Sequence, residues 1–502
     1  MAGPPVLPHT WIESHRFVPR VFVRPAQRIL KWESAAGMAT LGAAAVALVW
    51  ANGPWSEGYV STWNTPVMVR VGTTAIWDGP TRGLVNDVAM TVFFFVVTMS
   101  IKQQVVAGEL RDPRRAALPV LAALGGMVVP ALFYLAVAGG TATRHGWGVP
   151  VATDVAFAVG VLALLGSRVP LGARIFLLTL AVADDIGGIA VIALFYPSNV
   201  RPAWLAATAA VMLAAVLLRR GGVRALPPYV ALGALCWWTL AHSGVEPTLA
   251  GVLLGALVPV WAYHDPRSVQ VRGEPLLADA ARHARAEPLG LEDYERVGSS
   301  LREVARLLRE SSSPVERALT RTGPWVSFVV LPAFALANAG VQWGIRPLGD
   351  AGGRVALGVA IGLVVGKPIG ILTACAVAVR AGVGRLPTDT PWRVLVGVAI
   401  TAGIGFTVAL YVAAIAFPDA ASRDAARLGI LGGSAIAATL GILTLMVVTR
   451  RPHRWPSATT TATATRLLRP GSRSTTLDDD ATAPRRTPSD QTIVTNLASH
   501  CT

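Results

Sequence analysis

The sequence predicts an all-α integral membrane protein of about twelve transmembrane helices, two of them discontinuous. Three observations carry this. Only 15% of the 502 residues are charged while 53% are hydrophobic, against about 25% charged in soluble domains. Mean hydropathy is +0.52. Apolar stretches of roughly 16–28 residues recur along the chain, the length a helix needs to cross a hydrocarbon core of ~30 Å. The runs do not alternate as barrel strands would, and a chain this apolar is not intrinsically disordered. The net charge of +15, from 44 basic and 29 acidic residues, would suggest nucleic acid in a soluble protein. Here it reads as the basic edge of a membrane domain, and no nucleic-acid partner is expected. Cys236, Cys375 and Cys501 make neither ligand spacing nor a disulfide framework. The first two sit in apolar runs, as packing residues.

Residues 1–34 are polar and basic, with Arg16, Arg20, Arg24, Arg28 and Lys31. No small-residue cleavage site follows promptly, so they read as a cytoplasmic arm before a retained first helix. The expected spans are 35–52, 84–102, 116–139, 146–166, 171–196, 202–218, 226–242, 246–262, 324–342, 353–379, 392–417 and 428–449. Alanine and glycine are abundant in them, as where helices approach closely in lipid. Spans 146–166 and 246–262 are short and begin in polar or proline-containing sequence. With the N-terminus inside, the short inner loops hold twelve basic residues against eight in the outer ones, and inner loop 263–323 adds ten arginines. The positive-inside rule therefore places both termini in the cytoplasm. In that loop, Leu301, Val304, Leu307 and Leu308 recur at helical spacing within 291–310. They predict an amphipathic helix, either at the inner interface or as a solvated linker. The transmembrane domain thus covers 35–450. The segment 451–502 turns to Thr, Ser, Pro, Arg and Asp without an apolar period, and reads as a disordered cytoplasmic tail.

Against this background the informative residues are charges inside apolar spans. Asp184 and Asp185 lie mid-span in LLTLAVADDIGGIAVIALFY, Asp154 follows Thr153 in GWGVPVATDVAFAVGVLALLG, and Lys367 is central in GVAIGLVVGKPIGILTACAV. Each costs ~2.5–3.5 kcal/mol at a helix centre on insertion scales. The four together therefore oppose insertion by ~10–14 kcal/mol, the scale of a whole domain's stability. A water-filled site with partners is the usual compensation; a purely structural Asp–Lys tie between helices is the plainer one. Adjacent aspartates diverge by ~100° on a helix, so one can face a cavity while the other meets a neighbouring helix. Carboxylates gathered this way titrate as a set. A monovalent cation or a proton relieves their repulsion, and the two compete for the same oxygens. Only three of the 44 basic residues are lysines, and lysine, unlike arginine, can release a proton inside a protein. That choice at position 367 points to a residue that titrates.

Two spans also look interrupted. Pro150 and Thr153–Asp154 break 146–166, and Gly403 and Gly405 flank Ile404 within GVAITAGIGFTVALYVAAIAF. Ordinary glycine packing would account for the second alone. Paired interruptions in the two halves of a chain instead point to a transporter's binding site, because irregular backbone at membrane depth is tolerated where it lines a cavity.

At these residues the sequence resembles the NhaA family of bacterial sodium/proton antiporters. The matching stretches are ATDVAFAVGVLALLGSRVPLGARIFLLTLAVADDIGGIAVIALFY, SGVEPTLAGVLLG, PWVSFVVLPAFALANAGV, GKPIGI and GIGFTVAL, with GGMVVPAL near the third span, across about 33–450. The resemblance implies inverted repeats that expose a site alternately to each side of the plasma membrane. It implies Na+ or Li+ export against inward proton flow with unequal charge movement, activated at alkaline pH. Asp185 would be the principal Na+/Li+ and proton carboxylate, with Asp154 and Thr153 helping to hold the ion. Asp184 would pair with Lys367 when the site is empty or protonated. An outer hairpin, for which 53–83 has room, would serve a homodimer, and no cofactor is expected.

The chain departs from the family where VTMSIKQQ places Ser100 and Gln104 at the positions of two glutamates tied to pH response. In SGVEPT, Glu246 and Pro247 replace the usual histidine motif. A shifted or weakened pH profile follows as an expectation, with an ion-binding sensor that does not transport as the alternative. A cation channel needs a continuous polar pore, which fits a cluster at one depth less well. Neither H-E-x-x-H nor G-x-S-x-G chemistry is encoded. The GKP at 366–368 lacks the glycine spacing of a nucleotide loop, so the energy must come from ion gradients.

Overall fold

The computed structural model describes residues 33–449, except 73, 141–142, 224–225, 263–265, 286–289, 343–349 and 388. Nearly all of the expected basic arm, and the whole tail, lie outside the described residues. The first membrane helix, α1 (Glu33–Asn52), leads through a short α2 (Ser56–Asn64) into an antiparallel hairpin, β1 (Pro66–Val71) and β2 (Thr74–Pro80). This hairpin is an exception to the all-α expectation. Val67, Val69 and Val71 favour extended backbone, and Gly72 reverses the chain at φ 61°, where a side chain would be strained.

Next come α3 (Thr81–Ala107) and α4 (Pro113–Ala138). Helix α4 starts where Asp112 accepts a hydrogen bond from Arg114 N at 3.0 Å and Pro113 takes the first position, a helix-start signature. A tight turn of helix at Arg144–Val151 then precedes α5 (Val155–Leu164), α6 (Leu171–Phe195), α7 (Pro202–Arg220), α8 (Leu226–Ser243) and α9 (Leu249–Leu257).

The inner loop folds into α10 (Pro266–His283) and α11 (Leu291–Glu310), which pack together. The amphipathic helix expected at 291–310 is present. Ser300, Val304 and Leu307 are buried on it, while Leu301 and Leu308 stay exposed. Its stripe is thus partly covered by α10, an element the periodicity had not revealed.

The third stretch holds two helices widened by a π turn. Helix α12 (Pro314–Trp325) continues through Val326–Val330 into α13 (Leu331–Asn338), and α14 (Asp350–Ile361) through Gly362–Gly366 into α15 (Lys367–Arg380). Each wide turn closes one residue before a proline: Leu331 N reaches Val326 O, and Lys367 N reaches Gly362 O. Pro332 and Pro368 have no N–H to continue the ladder, and the π turn absorbs that defect. Last come α16 (Trp392–Thr401), α17 (Phe406–Ala416) and α18 (Ala420–Val448).

Nine described helices are long and apolar enough to cross a membrane, or ten if α16 and α17, bent by 46° at their junction, count as one. The expected spans 226–242 and 246–262 are not among them. Helix α8 carries Pro227, Pro228, Trp237, Trp238 and His242, and α9 has nine residues, a rise of only ~14 Å. Cys236 and Cys375 are fully buried, as their apolar settings require.

The interior has two main apolar layers. One contains Tyr134, Val359, Leu363, Ile404, Phe406 and Ile192; the other contains Leu118, Phe176, Leu180, Ile371, Val398 and Ala402. Helices α4, α6, α14–α15 and α16–α17 each contribute to both, so each passes through a waist between them. Glycines bring α4 and α15 together near that waist. A Cβ on Gly370 would fall 2.1 Å from Gly125 O, and one on Gly125 would fall 2.3 Å from Gly370 O. Gly370→Val should therefore lower the thermal midpoint of the detergent-solubilised protein, by the ~1–3 kcal/mol of an overpacked core or more. Gly432→Ala, with open space around its Cβ, should leave the midpoint unchanged; equal melting of the two variants would contradict this packing.

Candidate ion-binding site

Every charge singled out in the spans lies at this waist, and the backbone there is irregular in two places. Between the turn at 144–151 and α5, residues 152–154 are extended; between α16 and α17 the helix is interrupted at 402–405. The segments meet directly, Asp154 N donating to Ile404 O at 2.7 Å. Gly403 and Gly405 allow this approach. A Cβ on Gly403 would sit 2.4 Å from Leu363 O, and one on Gly405 would sit 3.1 Å from Ala152 O.

Asp154 holds the crossing together. One carboxylate oxygen accepts from Phe157 N at 3.1 Å, capping α5. The other accepts from Thr407 N at 3.0 Å and from the Thr407 hydroxyl, in the first turn of α17. A single buried carboxylate thus satisfies two helix N-termini, whose dipoles favour negative charge. Ser434 of α18 completes the arrangement, its hydroxyl oxygen accepting from Gly405 N and Phe406 N at 3.3 Å.

Asp184 and Lys367 form an ion pair at 2.7 Å with side chains 1% and 0% exposed. Lys367 also donates to Val151 O, the last carbonyl before the extended segment. Thr153 hydrogen-bonds Asp184 Oδ2 and lies 3.1 Å from Ala402 O. Asp184 Oδ1 is buried and has no hydrogen-bond partner among the described residues. Asp185, half-buried, makes no hydrogen bond or ion pair among the described residues, yet lies within electrostatic reach of Asp184, Asp154 and Lys367.

The seven residues expected at the ion site, Thr153, Asp154, Asp184, Asp185, Lys367, Gly403 and Gly405, thus fall in one region, and their engagements are specific. Thr153 serves Asp184 here and Asp154 serves the helix ends. Among the described residues no three carboxylate, imidazole or thiolate groups converge as a metal-binding cluster. The acidic oxygens left without a hydrogen bond among the described residues are the Asp185 carboxylate and Oδ1 of Asp184. Thr407 and Ser434 escaped the sequence reading because a lone hydroxyl in an apolar helix usually bonds its own backbone. The run GIGFT held the only hint, a threonine directly after the interruption.

The buried pair makes a stability prediction. Lys367→Met leaves the Asp184 charge without its cation and should cost ~3–5 kcal/mol, the price of breaking a buried ion pair. The double variant Asp184→Asn/Lys367→Met should lose clearly less than the sum of the single losses. Additive losses in thermal melting would show that the two side chains are not coupled.

The family model described as Na+/H+ antiporter 1 matches residues 27–445. The Na(+)/H(+) antiporter NhaA 2 of Myxococcus xanthus is 43% identical over 448 residues, covering 89% of this chain and 94% of the relative. The Na(+)/H(+) antiporter NhaA 2 of Sorangium cellulosum is 42% identical over 88% of this chain and 94% of its own length. For the Na(+)/H(+) antiporter NhaA of Rhodopirellula baltica the figures are 40%, 86% and 96%. With its apolar helices and this extent of similarity, the chain belongs to the NhaA family of Na+/H+ antiporters, multi-pass membrane proteins.

Proposed function

We propose that the chain exchanges Na+ or Li+ for protons across the plasma membrane, as an electrogenic secondary transporter and not an enzyme. The observation that carries this is the unequal treatment of two adjacent carboxylates. Asp184 is matched by Lys367, while Asp185 beside it has neither hydrogen bond nor ion pair among the described residues. An unmatched carboxylate at membrane depth is costly, and a proton or a monovalent cation neutralises it equally well. The two therefore compete for one site, which is the requirement for exchange.

In this reading Asp185 is the carrier carboxylate, and Thr153 and Asp154 turn towards the ion when it binds. Thr153 then leaves Asp184, loosening its hold on Lys367, whose ammonium can release a proton where arginine could not. Helix α8 and the whole segment 246–262 around α9 supply the remaining crossings, making twelve, with 144–164 and α16–α17 as the discontinuous pair of the inverted repeats and both termini cytoplasmic. The hairpin of β1 and β2 offers a homodimer surface. The names of the relatives favour exchange over the channel and sensor readings.

The test is current on a solid-supported membrane after Na+ and Li+ jumps, for the wild type and Asp185→Asn. The wild type should respond to both ions and the variant to neither; wild-type-size currents in the variant would remove Asp185 from the site. Ser100 bonds Val96 O, and the side-chain oxygen of Gln104 accepts from Glu109 N, so both serve the backbone where the family resemblance leads one to expect glutamates. The wild-type currents should accordingly show a shifted or weakened pH profile. A profile matching an alkaline-activated relative would contradict that part.

A further inference from the structure

Helix α17 is held at two points one turn apart. Thr407 gives its N–H and hydroxyl to Asp154. Four residues on, and so on the same face, Tyr411 is 2% exposed and donates its phenolic hydroxyl to Glu246 Oε1 at 2.6 Å. Its proton being committed there, the phenol oxygen accepts from the Thr248 hydroxyl at 2.7 Å. The ring is fixed edge-on against Phe94, centroids 5.7 Å apart. Glu246 and Thr248 come from the turn between α8 and α9. Helix α9 packs on α3 and α8, and α17 packs on α18, the 144–151 turn and α13. The bond therefore ties α17 to the turn between α8 and α9, beside the ring contact with Phe94 of α3, and a hydrogen bond from a phenol to a carboxylate is both strong and directional.

We infer that Glu246 is a positioning residue for the ion site: acting through Tyr411, it fixes the height and rotation of α17 so that Thr407 meets Asp154. A helix keeps its rise of 1.5 Å per residue over one turn. A shift of Tyr411 is therefore passed undiminished to Thr407, and Asp154 then holds the crossing in a different geometry. Glu246 touches neither the ion nor Asp154. This inference rests on the reading that Asp154 and Asp185 form the ion site.

The test measures the apparent KM for Na+ and Li+ and the maximal exchange rate in everted vesicles, together with the thermal midpoint of each variant. Tyr411→Phe and Glu246→Ala should each raise KM about fivefold, the factor for one lost hydrogen bond, with the maximal rate within twofold of wild type. Glu246→Gln keeps an acceptor for the phenol and should restore KM. The Tyr411→Phe/Glu246→Ala double variant should be no worse than either single one. A merely structural contact would lower the thermal midpoint without this rescue. Unchanged KM in Tyr411→Phe, no rescue by Glu246→Gln, or additive losses in the double variant would each overturn the inference. Asp185→Asn measured alongside separates the two levels. If it transports normally, the ion-site reading fails; if it is inactive while Tyr411→Phe behaves as wild type, the positioning role alone fails.

Discussion

A backbone that leaves helical geometry inside an apolar bundle must find partners for its amides and carbonyls, because no lipid can supply them. Here the partner is largely one side chain. The Asp154 carboxylate receives the amides of Phe157 and Thr407, in the first turns of α5 and α17, and the Asp154 amide itself binds Ile404 O. Ser434 takes two further amides, and Lys367 takes the carbonyl of Val151. The charged residues that look intolerable in an apolar span are thus the groups that make the irregular backbone tolerable. Removing their charge disturbs the shape of the site as well as its electrostatics.

This economy also explains where the site lies. The two apolar layers bury the halves of α4, α6, α14–α15 and α16–α17 separately, and the polar groups occupy the seam. Within the seam, charge is distributed unevenly. Asp184 is neutralised by a lysine with almost no exposure, Asp154 is spread over two helix ends, and Asp185 has no hydrogen bond or ion pair among the described residues. An ion pair this deep is an expensive way to bind two helices, since well-packed apolar residues often serve as well. In the exchange proposed here its value would lie in being breakable: a cation that drew Thr153 from Asp184 would change the hold on Lys367.

Much of this was legible in the sequence, because a low charge density makes each intramembrane charge conspicuous. Asp154, Asp184, Asp185 and Lys367 stand out in runs of Ala, Val, Leu and Ile, and Gly403 and Gly405 mark the interruption they permit. What was not legible depends on three-dimensional neighbours. Thr407 and Ser434 look like ordinary hydroxyls in small-residue helices, and only the folded chain brings them to Asp154 and to the α17 N-terminus. The π turns before Pro332 and Pro368 are local, yet a proline in an apolar helix signals a kink as readily as a widened turn. Spans 226–242 and 246–262 were drawn from apolar content, while the structure makes the second a helix of nine residues. The hairpin at 66–80 is too short for a periodicity argument to outweigh the surrounding helices.

The central claim is that Asp185 carries the exchanged ion while Asp184 is held by Lys367. Its most direct test is calorimetric titration of Li+ into the solubilised protein in two buffers of different ionisation heat, which counts the protons released on binding. The wild type should bind Li+ and release protons, and Asp185→Asn should show no binding heat. Li+ binding by Asp185→Asn with wild-type affinity and proton release would contradict the claim.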